Sequence, residues 1–104
     1  MDPKGLNHRI SGNSIVVAVK DQVSADLAGE AAILNLKSGV YYGLNPVGAR
    51  IWNLIQEPRG VNEIRDVLLS EYEVKADRCE RDLIELLQKL ADESLIEVTS
   101  EPPS

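Results

Sequence analysis

The sequence predicts an α+β fold, in which a three-stranded antiparallel sheet precedes three helices in a winged helix-turn-helix-like arrangement. The first half of the 104-residue chain contains short runs rich in β-branched and aromatic residues, separated by glycine and polar residues. The second half carries aliphatic residues at intervals of three and four, which is the spacing of amphipathic helices. Strands followed by helices are typical of α+β domains.

Three segments are predicted to form the sheet: Ile15–Val19, Ala31–Leu36 and Val40–Leu44. The last two are separated by Lys37-Ser38-Gly39, and glycine tolerates the positive φ that a tight hairpin requires. The stretch Lys20–Glu30 shows little alternation of apolar and polar residues, so we expect a connecting loop there.

The predicted helices cover Pro46–Gln56, Asn62–Glu73 and Ala76–Glu93. Asn45 is a favourable N-cap, and proline is tolerated at the first helical position because its N–H would lack an intrahelical partner. The hairpin therefore leads directly into the first helix.

The chain is predicted to form one domain over residues 15–98, with a flexible lead-in at 1–14 and a frayed end at 99–104. The apolar segment Leu95–Val98 is predicted either to add a short strand or to close the core. The first residues are polar and the longest apolar run is Ile15–Val19, too short to span a membrane, so we expect a cytoplasmic protein. The net charge of −6 disfavours binding to nucleic acid or to an anionic membrane.

The sequence contains no recognisable catalytic arrangement. Its single cysteine, Cys79, lies on the apolar stripe of the third helix and is predicted to be a buried small hydrophobe. The single histidine, His8, is distant along the chain and cannot build a metal site unaided. We therefore expect a binding module, not an enzyme, with no cofactor and no metal.

A winged-helix DNA-binding regulator is the alternative that the predicted fold raises. Its longest helix would have to enter the major groove beside the phosphates. The segment Ala76–Glu93 carries six acidic residues against three basic ones, an unfavourable balance for contact with a polyanion. The charge of this helix disfavours DNA binding even if the fold is of winged-helix type.

The segments Gly39–Asn45 and Val47–Trp52 resemble the PqqD-like family, the precursor-peptide recognition elements of pathways that modify ribosomally made peptides. The resemblance covers about residues 15–98 and is greatest to the stand-alone members of lasso-peptide pathways. The chain departs from the family pattern at Lys75, where relatives tend to have an aspartate or similar cap, and at Ser94, where they commonly have glycine.

The resemblance implies that the leader segment of a precursor peptide adds as a strand to the third strand, with side chains entering the cleft beside the third helix. It also implies a leader peptidase, and a cyclase, as partner enzymes, with another modification pathway as the alternative. The residues expected to contact the leader peptide are Val40, Tyr41, Tyr42, Gly43, Leu44, Asp82, Leu83, Glu85 and Leu86. An outer strand of a three-stranded sheet independently favours strand addition, because its edge is unpaired.

Alternation along the third strand gives each of its faces a separate role. Val40, Tyr42 and Leu44 are predicted to face the helices, with Tyr41 and Gly43 on the other face. Which of the two tyrosines faces the peptide is left open by the sequence.

The third helix is predicted to supply the other wall of the cleft. Leu83 and Leu87 are expected in the core, whereas Asp82 and Leu86 flank the apolar stripe and are better placed on the wall. Asp82 and Glu85 are candidates to pair with basic residues of the leader.

Overall fold

The structure is a computed structural model that describes residues 10–27 and 30–100. Within them the α+β class and three helices are confirmed: α1 (Pro46–Leu54), α2 (Val61–Glu71) and α3 (Ala76–Asp92). The strands are β1 (Ser14–Ala18), β2 (Gln22–Leu27), β3 (Glu30–Asn35), β4 (Tyr41–Leu44), β5 (Arg59–Gly60) and β6 (Ile96–Ser100). Much of the predicted lead-in (1–9) and most of the predicted frayed end (101–104) lie outside the described residues.

The described strands form two three-stranded antiparallel sheets, ordered β5-β1-β6 and β2-β3-β4. The prediction that Ile15–Val19 shares a sheet with the hairpin was therefore wrong. This segment, as β1, is the central strand of the other sheet, where Val16 aligns with Val98 of β6 and with Arg59 of β5. Every residue of β1 is buried or partly buried, on both faces of the strand, which explains why an almost wholly apolar run suits it.

The predicted loop Lys20–Glu30 was also wrong, because it contains β2. This strand pairs with β3 in a register that runs from Gln22 opposite Asn35 to Leu27 opposite Glu30. The side chain of Val23 is 55% exposed, and the next three residues of β2 are exposed as well. The sequence of β2, Gln-Val-Ser-Ala-Asp-Leu, does alternate polar and apolar residues, which is a strand signal that the prediction did not use. Because β2 buries little side-chain area, it is held chiefly by its backbone ladder with β3.

The core lies between the inward face of the β3–β4 hairpin and the helices. Ile33 and Leu44 of the hairpin, Trp52 of α1 and Ile64 of α2 are all buried. The predicted stripe of α3 is confirmed at its central positions, which are Cys79, Leu83, Leu87 and Leu90. Fully burying one such aliphatic side chain stabilises the fold by about 1.5–3 kcal/mol, so this stripe holds α3 in the core, where the helix packs against α2 and β6.

The two ends of α3 lie at the two positions where the sequence departs from the family pattern. Lys75 is the N-cap and makes no side-chain hydrogen bond to the helix, so the start of α3 lacks a polar cap. Ser94 follows the helix with a φ of 59°, a conformation that favours glycine. The chain then enters β6, which confirms the short strand that was one of two predictions for this segment.

No helix in residues 10–27 and 30–100 is long and apolar enough to cross a membrane.

Candidate functional site

Strand β4 is an edge of its sheet: it pairs with β3 on one side, and no other described strand pairs with it. The backbone N–H of Asn35 donates to the carbonyl of Val40 at 2.9 Å, which fixes the phase of the ladder. Hydrogen-bonded pairs alternate along an antiparallel ladder, so Tyr42 and Leu44 are bonded to β3. The N–H and C=O groups of Tyr41 and Gly43 therefore point toward the open edge.

The two faces of β4 differ sharply in burial. Leu44 is buried and Tyr42 is partly buried against the core, whereas the Tyr41 side chain is 69% exposed. The predicted division of this strand into an inward and an outward face is confirmed for these residues. Tyr42 therefore faces the helices. Tyr41 faces away from them, and its backbone N–H and C=O groups can form hydrogen bonds with an approaching chain.

The junction between β4 and α1 is tightly packed. The Asn45 side chain accepts a hydrogen bond from the Gly48 N–H at 2.8 Å, and Pro46 stands at the first helical position, as predicted. A Cβ added to Gly48 would lie 3.1 Å from Cδ2 of Leu44, so only glycine leaves this contact unstrained. The end of β4 is thereby fixed against the first turn of α1.

A cavity of about 1060 Å³ lies between β4 and α3 and continues toward α1 and the segment that joins α2 to α3. Seven of the nine residues predicted to contact a peptide line it, namely Tyr42, Gly43, Leu44, Asp82, Leu83, Glu85 and Leu86. Val40 and Tyr41 do not line it. Val40 precedes the strand, and the side chain of Tyr41 lies on the opposite face.

Charges around the cavity are balanced, although the chain as a whole is acidic. Its acidic lining residues are Glu73, Asp77, Asp82 and Glu85, and its basic ones are Lys75, Arg78, Arg81 and Lys89. Asp82 lies 3.7 Å from Arg78 one helical turn earlier, with both side chains well exposed. The carboxylate predicted to meet a basic peptide residue thus already has a cationic neighbour within α3.

The sequence prediction missed two groups of lining residues. The basic residues Arg78, Arg81 and Lys89 could have been found, because they continue the three-and-four spacing of Asp82 and Glu85 along α3. The segment Glu73–Lys75 carries no such periodic signal. Val47 and Tyr72 do lie four residues from Ile51 and Leu68, but that spacing indicates only the apolar face of a helix. Their position follows from how the helices pack.

An ion pair holds the end of α2 against α1. Arg50 donates from Nε and Nη2 to the two carboxylate oxygens of Glu71, at 2.9 and 2.7 Å. These hydrogen bonds lower the pKa of Glu71 and raise the pKa of Arg50. Since Tyr72 directly follows Glu71, the pair fixes the point at which the chain leaves α2 and enters the wall of the cavity.

The only cysteine, Cys79, is buried beneath the cavity. Burial raises the pKa of its thiol, so the nucleophilic thiolate is disfavoured. This placement agrees with the prediction of a buried small hydrophobe. Within residues 10–27 and 30–100, no group of three or more His, Cys, Asp or Glu side chains is arranged to hold a metal ion. His8 lies outside the described residues.

The face of the sheet turned away from the cavity carries exposed apolar side chains. Val23, Leu34 and Tyr41 align across β2, β3 and β4, and Leu36 follows on the same side of β3. None of these four lines the cavity. The sheet thus has an apolar outer surface in addition to the cleft along its edge.

Two solved structures resemble this fold. One, described as "TbiB1 in Complex with the TbiA(beta) Leader Peptide", is 40% identical with a TM-score of 0.73, covering 78% of this chain and 94% of that one. The other, described as "Lasso peptide synthetase B1 complexed with the leader peptide", is 25% identical with a TM-score of 0.69, covering 78% and 95%.

No curated protein matches the chain. The family model described as "Coenzyme PQQ synthesis protein D (PqqD)" matches residues 30–96, from the start of β3 to the start of β6. The match spans the hairpin, the three helices and both walls of the cleft, which confirms the resemblance seen in the sequence. The chain belongs to the PqqD family.

Proposed function

We propose that this protein is a non-catalytic recognition protein that binds the leader segment of a ribosomally made precursor peptide in lasso-peptide biosynthesis. The leader adds as a strand to β4, and the protein delivers it to a leader peptidase and a cyclase. The observation that carries the proposal is the open edge of β4 beside a cavity walled by α3. The two similar solved proteins, both described as complexes with leader peptides, support it.

Strand addition uses backbone groups that β3 leaves unpaired. The N–H and C=O groups of Tyr41 and Gly43 point toward the open edge and can bond to an extended peptide whatever its sequence. Selectivity then comes from alternate peptide side chains, which enter the cleft between Tyr42 and Leu86. Ordering a disordered segment costs about 2–5 kcal/mol, so apolar anchors must outweigh that cost.

Charge contributes little to this affinity. The cavity carries equal numbers of acidic and basic side chains, and the Asp82–Arg78 pair is exposed. Rim charges of this kind change association rates more than affinity. We therefore expect leader binding to depend only weakly on salt.

A role for the same mechanism in coenzyme PQQ synthesis is the second candidate, because the matching family model carries that description. The similarity to the structure described as lasso peptide synthetase B1, at 25% identity and a TM-score of 0.69, favours the lasso pathway. Genes for a leader peptidase and a lasso cyclase beside the gene for this chain would support that pathway.

A winged-helix regulator requires duplex DNA to bind near α3, and this helix carries five acidic residues against three basic ones. Titration of duplex DNA at low ionic strength separates the two functions. Saturable DNA binding there would contradict the proposal.

The test is a titration of the isotopically labelled protein with the leader segment of a lasso precursor encoded beside it. Backbone amide signals of Tyr41–Leu44 and of Asp82–Leu86 should shift, with a dissociation constant between micromolar and nanomolar, which corresponds to roughly −8 to −12 kcal/mol. A leader of scrambled sequence is the control. Shifts confined to other elements would refute strand addition at β4.

Delivery and the absence of catalysis are tested with the partner enzymes. The protein alone should leave the mass of the precursor unchanged. Added to the leader peptidase of the same pathway, it should increase the rate of leader cleavage. The cleavage rate of a leader that it does not bind should stay unchanged.

A further inference from the structure

The β2-β3-β4 sheet has a second open edge, on the side opposite to β4. Strand β2 pairs with β3, and none of the other strands in residues 10–27 and 30–100 pairs with its outer side. The N–H of Leu36 donates to the carbonyl of Asp21 at 2.9 Å, which fixes the phase of this ladder. Bonded pairs alternate along it, so Val23 is bonded to β3, whereas Ser24 and Asp26 direct their backbone groups outward.

Side chains leave this edge accessible. The four residues 23–26 are all exposed, although alternate residues of a strand point to opposite faces of the sheet. Helix α1 packs against β3 and β4. Strand β2 therefore extends beyond the part of the sheet that this helix covers, and both of its faces are open at these four positions.

The edge of β2 lacks the residues that commonly keep exposed strands apart. Natural edge strands are often protected by lysine, by proline or by a bulge. The sequence of β2 contains neither lysine nor proline, and its register with β3 is continuous from Gln22 to Leu27. Strand β4, the edge proposed to bind the leader, likewise contains neither residue. An edge of this composition is suited to pairing with another strand.

The sequence of β2 is complementary to itself when two copies run antiparallel. With a two-fold axis at Ser24, this residue lies opposite its own copy, and Val23 lies opposite Ala25. Gln22 then lies opposite Asp26, and its side-chain amide can donate a hydrogen bond to the carboxylate. Like charges placed directly opposite each other destabilise a pair of strands, and none meet in this register.

We propose that two copies of this protein associate through their β2 edges, as an antiparallel pair about a two-fold axis at Ser24. The N–H of Ser24 donates to the carbonyl of Ser24 in the second copy, and the N–H of Asp26 donates to that of Gln22, each twice by symmetry. The N–H of Gln22 takes no part, because it already donates to the carbonyl of Lys20 at 2.9 Å. The result is a continuous six-stranded sheet with a β4 edge at each end.

This association goes beyond leader binding and does not depend on it. Because the two β4 edges lie at opposite ends of the joined sheet, both can accept a leader peptide. Four backbone hydrogen bonds and few side-chain contacts make a small interface, and small interfaces are typically weak. Each copy carries a net charge of −6, so two copies repel each other at low ionic strength. We therefore expect a weak dimer that added salt strengthens.

Light scattering of the protein alone, from micromolar to millimolar concentration, measures the association. The average mass should rise from that of one chain toward that of two, and added salt should move this rise to lower concentration. Backbone amide signals of Ser24 and Asp26 should shift over the same range, whereas those of Tyr41 and Gly43 at the other edge should not. An average mass that stays at one chain throughout would overturn the proposal.

Substitutions at Ser24 test the position of the interface. Ser24→Pro removes an N–H that β3 does not use, so it should retain the fold and raise the dissociation constant of the dimer at least tenfold. Ser24→Ala keeps this N–H and should associate as the unmodified protein does. Ser24→Glu keeps the backbone and places like charges opposite each other, so it should weaken association even if the proline variant has a lowered melting temperature.

Leu34→Ser is the control for association through the apolar outer face of the sheet, and it should leave the dimer unchanged. Association that persists in both Ser24→Pro and Ser24→Glu would overturn pairing through β2, as would association that only Leu34→Ser abolishes. A monomeric protein whose Ser24→Pro variant fails to stimulate the leader peptidase would also overturn it, by assigning this edge to that enzyme. Loss of leader binding would refute the proposed function without affecting these measurements, because they use the protein alone.

Discussion

The side-chain amide of Asn35 donates a hydrogen bond to the backbone carbonyl of Ser94 at 3.0 Å and so joins the hairpin to the end of α3. The same side chain accepts hydrogen bonds from the N–H groups of Lys37 and Ser38, at 2.8 and 3.1 Å. Asn35 is 3% exposed. One buried side chain thus shapes the turn that leads to β4 and fixes that turn to the helix that forms the opposite wall of the cleft.

Replacing Asn35 with alanine should destabilise the protein by about 2–3 kcal/mol. The loss combines several hydrogen bonds, each worth about 0.5–1.5 kcal/mol net, with the cost of leaving buried backbone groups unpaired. Urea unfolding measures this difference. Asn53→Ala, on the exposed side of α1, is the control and should change the free energy of unfolding by less than about 0.5 kcal/mol. Equal effects of the two substitutions would contradict the role given to Asn35.

Replacing Ser94 with glycine should stabilise the protein by about 0.5–1 kcal/mol. Ser94 has a φ of 59°, which costs a non-glycine residue roughly 1–2 kcal/mol, and the greater freedom of glycine in the unfolded chain offsets part of the gain. The N–H of Ser94 donates to Ala91 and the N–H of Leu95 donates to Leu90, so the turn is a Schellman motif, which prefers glycine here.

Thermal and urea unfolding of Ser94→Gly and Ser94→Val check this expectation. Valine should destabilise, because a β-branched side chain is unfavourable at positive φ. A glycine variant less stable than the unmodified protein would show that the serine side chain has a stabilising role that its backbone conformation does not reveal.

The parts of the fold that the sequence predicts correctly depend on local signals. Gly39 has a φ of 77° in the hairpin turn, and Asn45 caps α1 through the N–H of Gly48. Each feature involves residues within a few positions of one another. The pairing of Val16 with Val98 and with Arg59 joins segments far apart in the chain, and no local pattern encodes it.

The cleft shows the same division between local and tertiary information. Alternation in β4 and the three-and-four spacing in α3 placed Tyr42, Asp82 and Leu86 on facing walls. Val74 was missed because it lies in a connecting segment, and Tyr72 because it was expected within the second helix, which ends one residue earlier, at Glu71. A prediction from periodicity therefore finds the walls of such a cleft more readily than its end.

Proline substitutions in β4 should separate peptide binding from folding. At Tyr41 proline removes an N–H that points toward the open edge, so leader affinity should fall at least tenfold while the fold is retained. At Tyr42 it removes an N–H bonded to β3, which should destabilise the protein by about 1–3 kcal/mol by leaving a backbone carbonyl unpaired.

Calorimetric titration with the leader and urea unfolding distinguish these two effects. Tyr41→Ala is the control for the side chain, and it should bind the leader normally because that side chain faces away from the cavity. If Tyr41→Pro bound the leader as tightly as Tyr41→Ala, the backbone of Tyr41 would not take part in recognition.

The pair formed by Arg50 and Glu71 should make stability depend on pH in acid. The hydrogen bonds from Arg50 lower the pKa of Glu71 below its usual value of 4.5, so the folded state binds this proton less readily than the unfolded state. The stabilisation is therefore fully present above about pH 5 and is lost as the pH falls through the lowered pKa of the folded state.

The difference in unfolding free energy between the unmodified protein and Glu71→Gln, measured at a series of pH values, should be constant near neutrality and decrease in this acid range. The difference should also decrease with added salt, because both side chains are more than a third exposed. A difference that stayed constant down to pH 2 would show that the carboxylate charge of Glu71 does not hold α2 against α1.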